Sequence, residues 1–189
     1  MTTVKYSDQV KLVPEGYNII TAPTVKGMTY PKLGDIQQAI EFYKPLIEEE
    51  LGSVPGGKDP YLDSIIVLTH IYQESLFNSR ANNSYPARGI AQFIPGTQKQ
   101  YNILDPYNYA DVVRPLTKFV NDNFKHYSSI KEKDLHISCG VMAYFSGRRT
   151  LEGFKKVRDE MLGINPLQYL QKFEVTYRRL GGPGFRSQW

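Results

Sequence analysis

The sequence predicts a predominantly α-helical fold, and three observations support this prediction. Apolar residues recur at intervals of three and four along several segments, as they do on the buried face of a helix. Several of these segments are bounded by helix signals, such as Asn165-Pro166 at a start and Gly181-Gly182 at an end. One segment, from Leu62 to Gln73, is apolar almost all round, which is typical of a helix in the centre of a domain.

Six helices are expected along the chain. The first runs from Asp35 to Leu51, and Pro45 inside it predicts a kink or a break. The second is the central helix, which is expected to begin at Asp59 as N-cap, with Pro60 as its first residue, and to end near Asn78. The remaining four are expected over residues 111–127, 134–146, 150–162 and 166–180. Residues 79–95 are polar and irregular, and they predict a loop or a small β-hairpin.

The expected organisation is one domain over residues 34–189, preceded by an extended N-terminal arm over residues 1–33. The arm contains three prolines and many β-branched residues, and it has no helical period. A chain of 189 residues can bury a full hydrophobic core without disulfides. No apolar run approaches the ~20 residues that cross a bilayer, and the first residues lack the apolar stretch of a secretory signal. Membrane insertion and an export route of the chain's own are therefore not expected.

Charge and cysteine content exclude several classes of function. The net charge of +4 suits an anionic partner, but the basic residues occur in scattered pairs and no nucleic-acid-binding motif is present. Cys139 is the only cysteine, so no intrachain disulfide can form. His70 stands one turn before Glu74 without the two-histidine spacing of a zinc site, and no Cys/His cluster lies nearby. The sequence therefore predicts no nucleic-acid partner, no metal and no cofactor.

Glu74 is the residue that most strongly indicates chemistry. It lies at the end of the apolar central helix, between Tyr72 and Leu76, where burial would raise the pKa of its carboxyl group. A raised pKa is what a general acid needs at neutral pH. By its position alone, Glu74 could equally well be a solvent-facing glutamate at the end of a helix.

The residues around Glu74 form blocks that resemble a known family. The blocks are Glu74-Ser75-Leu76-Phe77, Gly89-Ile90-Ala91-Gln92-Phe93-Ile94-Pro95-Gly96-Thr97, Asp105-Pro106-Tyr107-Asn108, Ala143-Tyr144-Phe145-Ser146-Gly147 and Phe173-Glu174. In this order, from about residue 60 to about residue 180, they resemble the soluble lytic transglycosylase family of the goose-type-lysozyme superfamily. Ala91, Val112 and Phe145 depart from the family's pattern. The resemblance implies a lysozyme-like helical domain.

The resemblance also implies the residues of a site. Glu74 matches the family's catalytic glutamate, and Gln92 matches a glutamine whose side-chain amide contacts the sugar. Tyr144 matches a tyrosine close to the catalytic carboxylate, and Glu174 matches a glutamate in the lower part of the groove. Asn83 stands where relatives often carry a serine that touches the substrate.

The reaction that the resemblance implies is cleavage of peptidoglycan without water. Glycoside hydrolysis usually needs two carboxylates. No Asp or Glu occurs between Ser75 and Tyr101, and Asp105 fits better as a cap beside Pro106. By resemblance, Glu74 is the single acid and base acting on the β-1,4 bond between N-acetylmuramic acid and N-acetylglucosamine, and 1,6-anhydromuramyl ends are formed. Two alternatives stay open: a goose-type-lysozyme-like muramidase, which hydrolyses the bond, and a non-catalytic wall-binding structural protein of a virion.

The expected partner is the glycan strand of peptidoglycan. The lack of a secretory signal, together with the N-terminal arm, suggests a bacteriophage member of the family. Such a protein would act on the bacterial cell wall in the periplasm, either as a virion component or after release by a holin. In the first case the arm would contact other virion proteins.

Overall fold

The computed structural model describes residues 19–21, 29–31, 36–82, 86–150, 153–154 and 166–187. Within these residues the fold is predominantly α-helical, which confirms the predicted class. Its main helices are α1 (Ile36–Ser53), α2 (Ser64–Ser75), α3 (Pro95–Gln100), α4 (Tyr109–His126), α5 (Lys133–Ser146) and α6 (Pro166–Arg179). None of the described helices is long and apolar enough to cross a membrane.

Two predicted segments lie largely outside the described residues. In the arm predicted over residues 1–33, the structure describes two short strands, β1 (Ile19–Thr21) and β2 (Thr29–Pro31). The strands pair antiparallel, with Ile20 opposite Tyr30. Of the helix predicted over residues 150–162, only residues 153–154 within its span are described as helical.

The helix α1 continues through Pro45, so the predicted break at this proline is wrong. Proline removes one backbone donor and costs about 3 kcal/mol in a helix interior. Buried side chains on both sides of it, Phe42, Tyr43, Ile47 and Leu51, hold the helix in place. Burial of apolar area contributes about 25 cal/mol per Å². The burial of these four side chains therefore stabilises the helix by more than the proline destabilises it.

The helix α2 begins at Ser64, so the predicted start at Asp59 and Pro60 is wrong. Asp63 takes the capping role, because its Oδ1 accepts a hydrogen bond from the backbone N–H of Ile66 at 2.8 Å. Asp59 stabilises a separate turn, in which its Oδ1 accepts from the Tyr61 N–H at 3.0 Å. Two aspartates four residues apart thus cap two different structures.

The segment between α2 and α3 is an irregular loop, as predicted for residues 79–95. Its described part holds only isolated bridges, between Asn82 and Arg88 and between Arg88 and Phe93. The short helix α3, which is not among the six predicted helices, follows at once with Pro95 at its start.

The later helices begin at side-chain caps. Asn108 Oδ1 accepts from the Ala110 N–H at 3.1 Å at the start of α4, and the Glu132 carboxylate accepts from the Asp134 and Leu135 N–H groups at the start of α5. At the end of α5, Gly147 has φ +76°, a backbone angle that favours glycine. These starts lie within two residues of the predicted ones, because capping signals are local in sequence.

The chain divides into two compact units. The first comprises residues 1–47 and 70–116. Its described core is an aromatic cluster: the ring of Phe42 lies edge-on to Tyr43 and Tyr109, with centroids 4.9 and 5.0 Å away, and Tyr43 stacks on Phe77 at 6.0 Å. Such pairs add about 0.5–1.5 kcal/mol each beyond the burial of their area. This cluster fixes the chain just after Glu74.

The second unit comprises residues 48–69 and 117–189. Helices α5 and α6 pack together in it. Gly140 permits close packing of α5, since a Cβ atom there would lie 2.5 Å from the ring of Phe124. The ring of Phe185 packs against Phe173 and Tyr177 of α6, with ring centroids 6.4 and 6.0 Å apart. The segment after α6 therefore folds back on the helix.

Candidate active site

Glu74 lies in the last turn of α2 and is partly exposed. The helix that carries it is deeply buried, as its side chains Ile66, Val67, Leu68, Thr69, His70 and Ile71 all have relative exposures of 0%. A carboxylate at the accessible end of such a helix can contact a substrate, although the preceding turns of the helix are buried from solvent. This placement agrees with the predicted position of the acid.

The backbone after Glu74 is strained. Leu76 and Phe77 have φ angles of +53° and +60°, which residues with side chains rarely adopt. Each such residue costs on the order of 1 kcal/mol or more. The turn persists because Phe77 is 3% exposed and packs edge-on against Tyr72 at 5.7 Å, whereas Leu76 is left 69% exposed. The strain therefore ends α2 at Ser75 and sets the direction of the loop that follows.

Gln92 holds this loop together through its side-chain amide. Its Nε2 donates to the carbonyl oxygens of Ala81 at 3.0 Å and Gly89 at 2.9 Å. Both amide hydrogens are thereby used within the protein, so Oε1 is the amide atom with acceptor capacity for a sugar hydroxyl or N–H group. Gln92 itself has φ +47°, which adds to the strained positions of the loop.

The segment 105–108 supports the same loop from outside. Asp105 Oδ1 accepts from the Tyr107 N–H at 3.0 Å, which confirms the predicted cap beside Pro106. The Tyr107 hydroxyl donates to Asn82 Oδ1 at 2.6 Å. This role of Tyr107 has no signal in the sequence, because no local pattern connects a tyrosine to a residue 25 positions earlier.

Tyr144 and Glu174 belong to the second unit. The ring of Tyr144, on α5, lies edge-on to Phe119 with centroids 5.3 Å apart. Glu174, on α6, accepts from Arg178 Nη2 at 3.0 Å and from the Ser187 N–H at 3.0 Å. Burial would raise the pKa of the Glu174 carboxyl, but the hydrogen bonds from Ser187 and the nearby Arg178 guanidinium outweigh it and hold that pKa below its usual range.

The predicted site residues are thus distributed over the two units. Glu74 and Gln92 lie in the first unit, and Tyr144 and Glu174 lie in the second. Asn83, the remaining predicted substrate contact, lies outside the described residues. Phe145, one of the departures from the family's pattern, stacks on Tyr169 with centroids 4.7 Å apart, so its ring is engaged with α6.

A metal ion has no obvious site in the part of the chain that the structure describes. Among those residues, no group of three or more His, Cys, Asp or Glu side chains could hold one. His70 is fully buried, and burial lowers the pKa of its imidazole to about 3. Its ring is therefore neutral at pH 7 and brings no positive charge to Glu74.

The fold and the partly exposed glutamate at the end of a buried helix define a lysozyme-like helical domain. A family model described as Transglycosylase SLT domain matches residues 57–160, more than half of the chain, and the chain belongs to this family. The family implies lytic transglycosylase activity on peptidoglycan. The matched residues include Glu74, Asn83, Gln92 and Tyr144 but not Glu174. No curated protein matches the chain.

Proposed function

We propose that this protein is a lytic transglycosylase that uses Glu74 as its single acid and base. It cleaves the β-1,4 bond between N-acetylmuramic acid and N-acetylglucosamine and forms 1,6-anhydromuramyl ends. One observation carries the proposal: in a chain of the transglycosylase family, Glu74 lies at the end of a buried helix, and no Asp or Glu follows it in sequence until Asp105. Asp105 is engaged as a turn cap.

The proposed reaction needs only one protein carboxyl group. Glu74 first donates its proton to the glycosidic oxygen, and the bond from that oxygen to the muramyl C1 breaks. The acetamido group of the substrate stabilises the cationic centre at C1. The Glu74 carboxylate then takes the proton of the muramyl C6 hydroxyl, and O6 forms the new bond to C1. Glu74 ends protonated, as it began, and no water is consumed.

The other predicted residues serve binding in this proposal. Gln92 accepts from the sugar through Oε1, since its amide hydrogens bond to the loop. Asn83 and Tyr144 are assigned to substrate binding by resemblance. Glu174 would bind the substrate through its remaining lone pairs, since each of its oxygens already accepts one hydrogen bond, from Arg178 or from Ser187.

A muramidase is the second candidate. Hydrolysis by inversion or retention would need a second carboxylate to activate water or to act as nucleophile. The stretch from Ser75 to Leu104 contains none, which favours the intramolecular attack of O6. A non-catalytic wall-binding protein of a virion is the third candidate, and it predicts binding without any product.

Digestion of purified peptidoglycan tests these candidates. We expect the wild type to release muropeptides with anhydro ends, which are lighter by one water than reducing ends in mass spectra. Glu74→Gln should yield no product, and Glu49→Gln, at an exposed glutamate of α1, should match the wild type. Reducing ends would identify a muramidase. Binding of Glu74→Gln and wild type to sacculi, with no product from either, would identify a wall-binding protein.

The biological setting is proposed from the sequence. We propose a bacteriophage protein that acts on the cell wall in the periplasm, as a virion component or after release by a holin. Detection of the chain in purified virions by mass spectrometry would distinguish the first setting from the second.

A further inference from the structure

Two arginines of the loop between α2 and α3 have no role in the site described so far. Arg80 and Arg88 are both exposed. In the described part of the chain, neither guanidinium has a carboxylate within ion-pair distance. The sequence from Ser75 to Leu104 contains Arg80, Arg88 and Lys99 but no Asp or Glu. The positive charge of this loop is therefore not neutralised by its own residues.

The loop brings both arginines next to Gln92. The two carbonyl groups to which Gln92 Nε2 donates belong to Ala81 and Gly89, the residues directly after Arg80 and Arg88. The Gly89 N–H also donates to the Ala81 carbonyl oxygen, at 2.9 Å, so the two backbone stretches lie side by side. Arg80 and Arg88 therefore directly precede the two residues that hold the Gln92 amide. Two exposed cations are thus attached to the backbone that supports the proposed sugar contact.

We propose that Arg80 and Arg88 form a recognition surface for the free carboxylates of the peptide stems on N-acetylmuramic acid. This inference rests on the proposed function and names the part of the substrate that the loop would bind. A stem begins on the same sugar whose bond is cleaved, so its carboxylates reach the neighbourhood of the sugar contact. Guanidinium groups pair with carboxylates through two parallel hydrogen bonds, which gives both affinity and orientation.

Cleavage of two glycan substrates tests this surface. One substrate is a set of soluble glycan strands with their stems, and the other is the same strands after an amidase has removed the stems. We expect the kcat/KM of the wild type to be about tenfold higher on the stem-bearing strands, mostly through KM, as two partly solvated charge pairs would give. The preference should fall as salt is raised, because exposed charges are screened.

The variant Arg80→Gln/Arg88→Gln should lose most of this preference. The control Lys172→Gln/Arg179→Gln makes the same change in net charge at exposed positions of α6 and should keep it. The proposal would be overturned if Arg80→Gln/Arg88→Gln kept the wild-type preference for stem-bearing strands. It would also be overturned if this variant lost kcat/KM equally on both substrates. A preference that disappears once hydrofluoric acid has stripped phosphate polymers from the strands would also overturn it, in favour of a phosphate ligand.

A binding measurement separates this inference from the proposed function. Sedimentation of the Glu74→Gln chain with both kinds of strand, with and without the two arginine substitutions, does not depend on cleavage. If the wild type forms no product but binding to stem-bearing strands still requires the arginines, the transglycosylase proposal fails and the recognition surface stands. The opposite result is also possible: the wild type forms anhydro products, but Glu74→Gln binds stem-bearing and stem-free strands equally, with or without the arginine substitutions. In that case the transglycosylase proposal stands and the recognition surface fails.

Discussion

Two titratable side chains of helix α2, Glu74 and His70, differ in burial. Glu74 is partly exposed, whereas His70, one turn earlier on the same helix, has an exposure of 0%. A buried imidazole loses its hydration when it is charged, so burial lowers the pKa of His70 to about 3. The imidazole of His70 is therefore neutral at pH 7, and Glu74 is the titratable side chain of this pair that has solvent access.

His70 should make the stability of the protein depend on pH. Its pKa in the folded protein is about 3, below the ordinary value of 6.5, so between these values the unfolded chain binds a proton that the folded chain does not. Stability from this group is complete above about pH 6.5 and falls by a few kcal/mol as pH decreases towards 3. Urea unfolding of His70→Leu should show a flatter profile over this range.

The control for His70 is His126→Gln, at an exposed histidine of α4, which should retain the wild-type profile. A profile of His70→Leu that is as steep as that of the wild type would show that other groups cause the loss of stability in acid.

Cys139 should be unreactive in the native protein. Its side chain is fully buried in α5, and burial raises the pKa of its thiol to about 12. At pH 8 the thiolate fraction is then on the order of 10⁻⁴, and a reagent has no access to it. We expect no reaction with Ellman's reagent until guanidinium chloride unfolds the chain. Reaction of the native protein at the rate of a free thiol would contradict this burial.

At the scale of elements, the loop between α2 and α3 depends on one close approach of backbone to backbone. Gly89 has φ +73°, and a Cβ atom there would lie 1.7 Å from the carbonyl oxygen of Pro106. Gly89→Ala must therefore move the loop, and we expect a loss of at least about 2 kcal/mol in the free energy of unfolding. Because Gly89 also binds the Gln92 amide, cleavage of peptidoglycan should fall with it.

Gly96→Ala is the matched control, because a Cβ atom at this position would have nothing within 4 Å and the φ angle of Gly96 is not positive. Equal stability and activity of the two alanine variants would show that the loop does not need the approach of Gly89 to Pro106.

The segment after α6 depends on Glu174. The Ser187 N–H donates to Glu174 Oε2, and Arg178 donates to Glu174 Oε1 and to the Phe185 carbonyl oxygen. Glu174→Gln removes the charge that strengthens these bonds, so the Ser187 amide should exchange with deuterium roughly tenfold faster. Since the pKa of Glu174 is lowered, protection of this amide in the wild type should be present at neutral pH and lost only in acid.

Asp122→Asn is the control for this segment, because it removes the similar helix pair between Lys118 and Asp122 in the same unit. It should leave exchange at Ser187 unchanged. Unchanged exchange in Glu174→Gln would mean that the rings around Phe185 alone hold the segment.

At the scale of the whole molecule, a buried polar cluster joins distant parts of the second unit. The Nδ1 and Nε2 atoms of His136 lie 3.2 Å from the Ile130 carbonyl oxygen and 3.1 Å from the Phe124 carbonyl oxygen. A ring that carries one proton can donate to one of these oxygens, and a ring that carries both protons can donate to both. Asp59 Oδ2 lies 3.2 Å from Nε2 without a hydrogen bond to it. Asn121 accepts from the Asp59 N–H.

Removal of both His136 and Asp59 should destabilise the protein by less than the sum of the two single removals. His136→Phe or Asp59→Asn alone leaves buried polar groups without their partners, and we expect each to cost about 1–3 kcal/mol in the free energy of unfolding. The double variant should cost clearly less than the sum of the two, by more than about 1 kcal/mol, in a double-mutant cycle of urea unfolding. Additive losses would show that the two side chains do not interact.

The family and the helical class could be predicted from the sequence because their signals are local. Helical spacing, capping residues and the block from Glu74 to Phe77 can each be found within a few neighbouring residues. The same locality explains the errors. At Asp59 the cap-then-proline pattern is present, but the helix begins five residues later, because Asp63 offers a second cap and the Asp59 backbone bonds to Asn121.

The sequence by itself determined that this protein is mostly helical, belongs to a glycan-cleaving class and has Glu74 as its candidate acid. Only the tertiary structure decided that the Gln92 amide holds a loop, that Glu174 binds the segment after α6, and that the Asp59 backbone bonds to Asn121. These contacts join residues 11, 13 and 62 positions apart, as in Gln92–Ala81, Glu174–Ser187 and Asp59–Asn121. Which partner a polar side chain takes depends on the folded chain around it, and no local pattern contains that information.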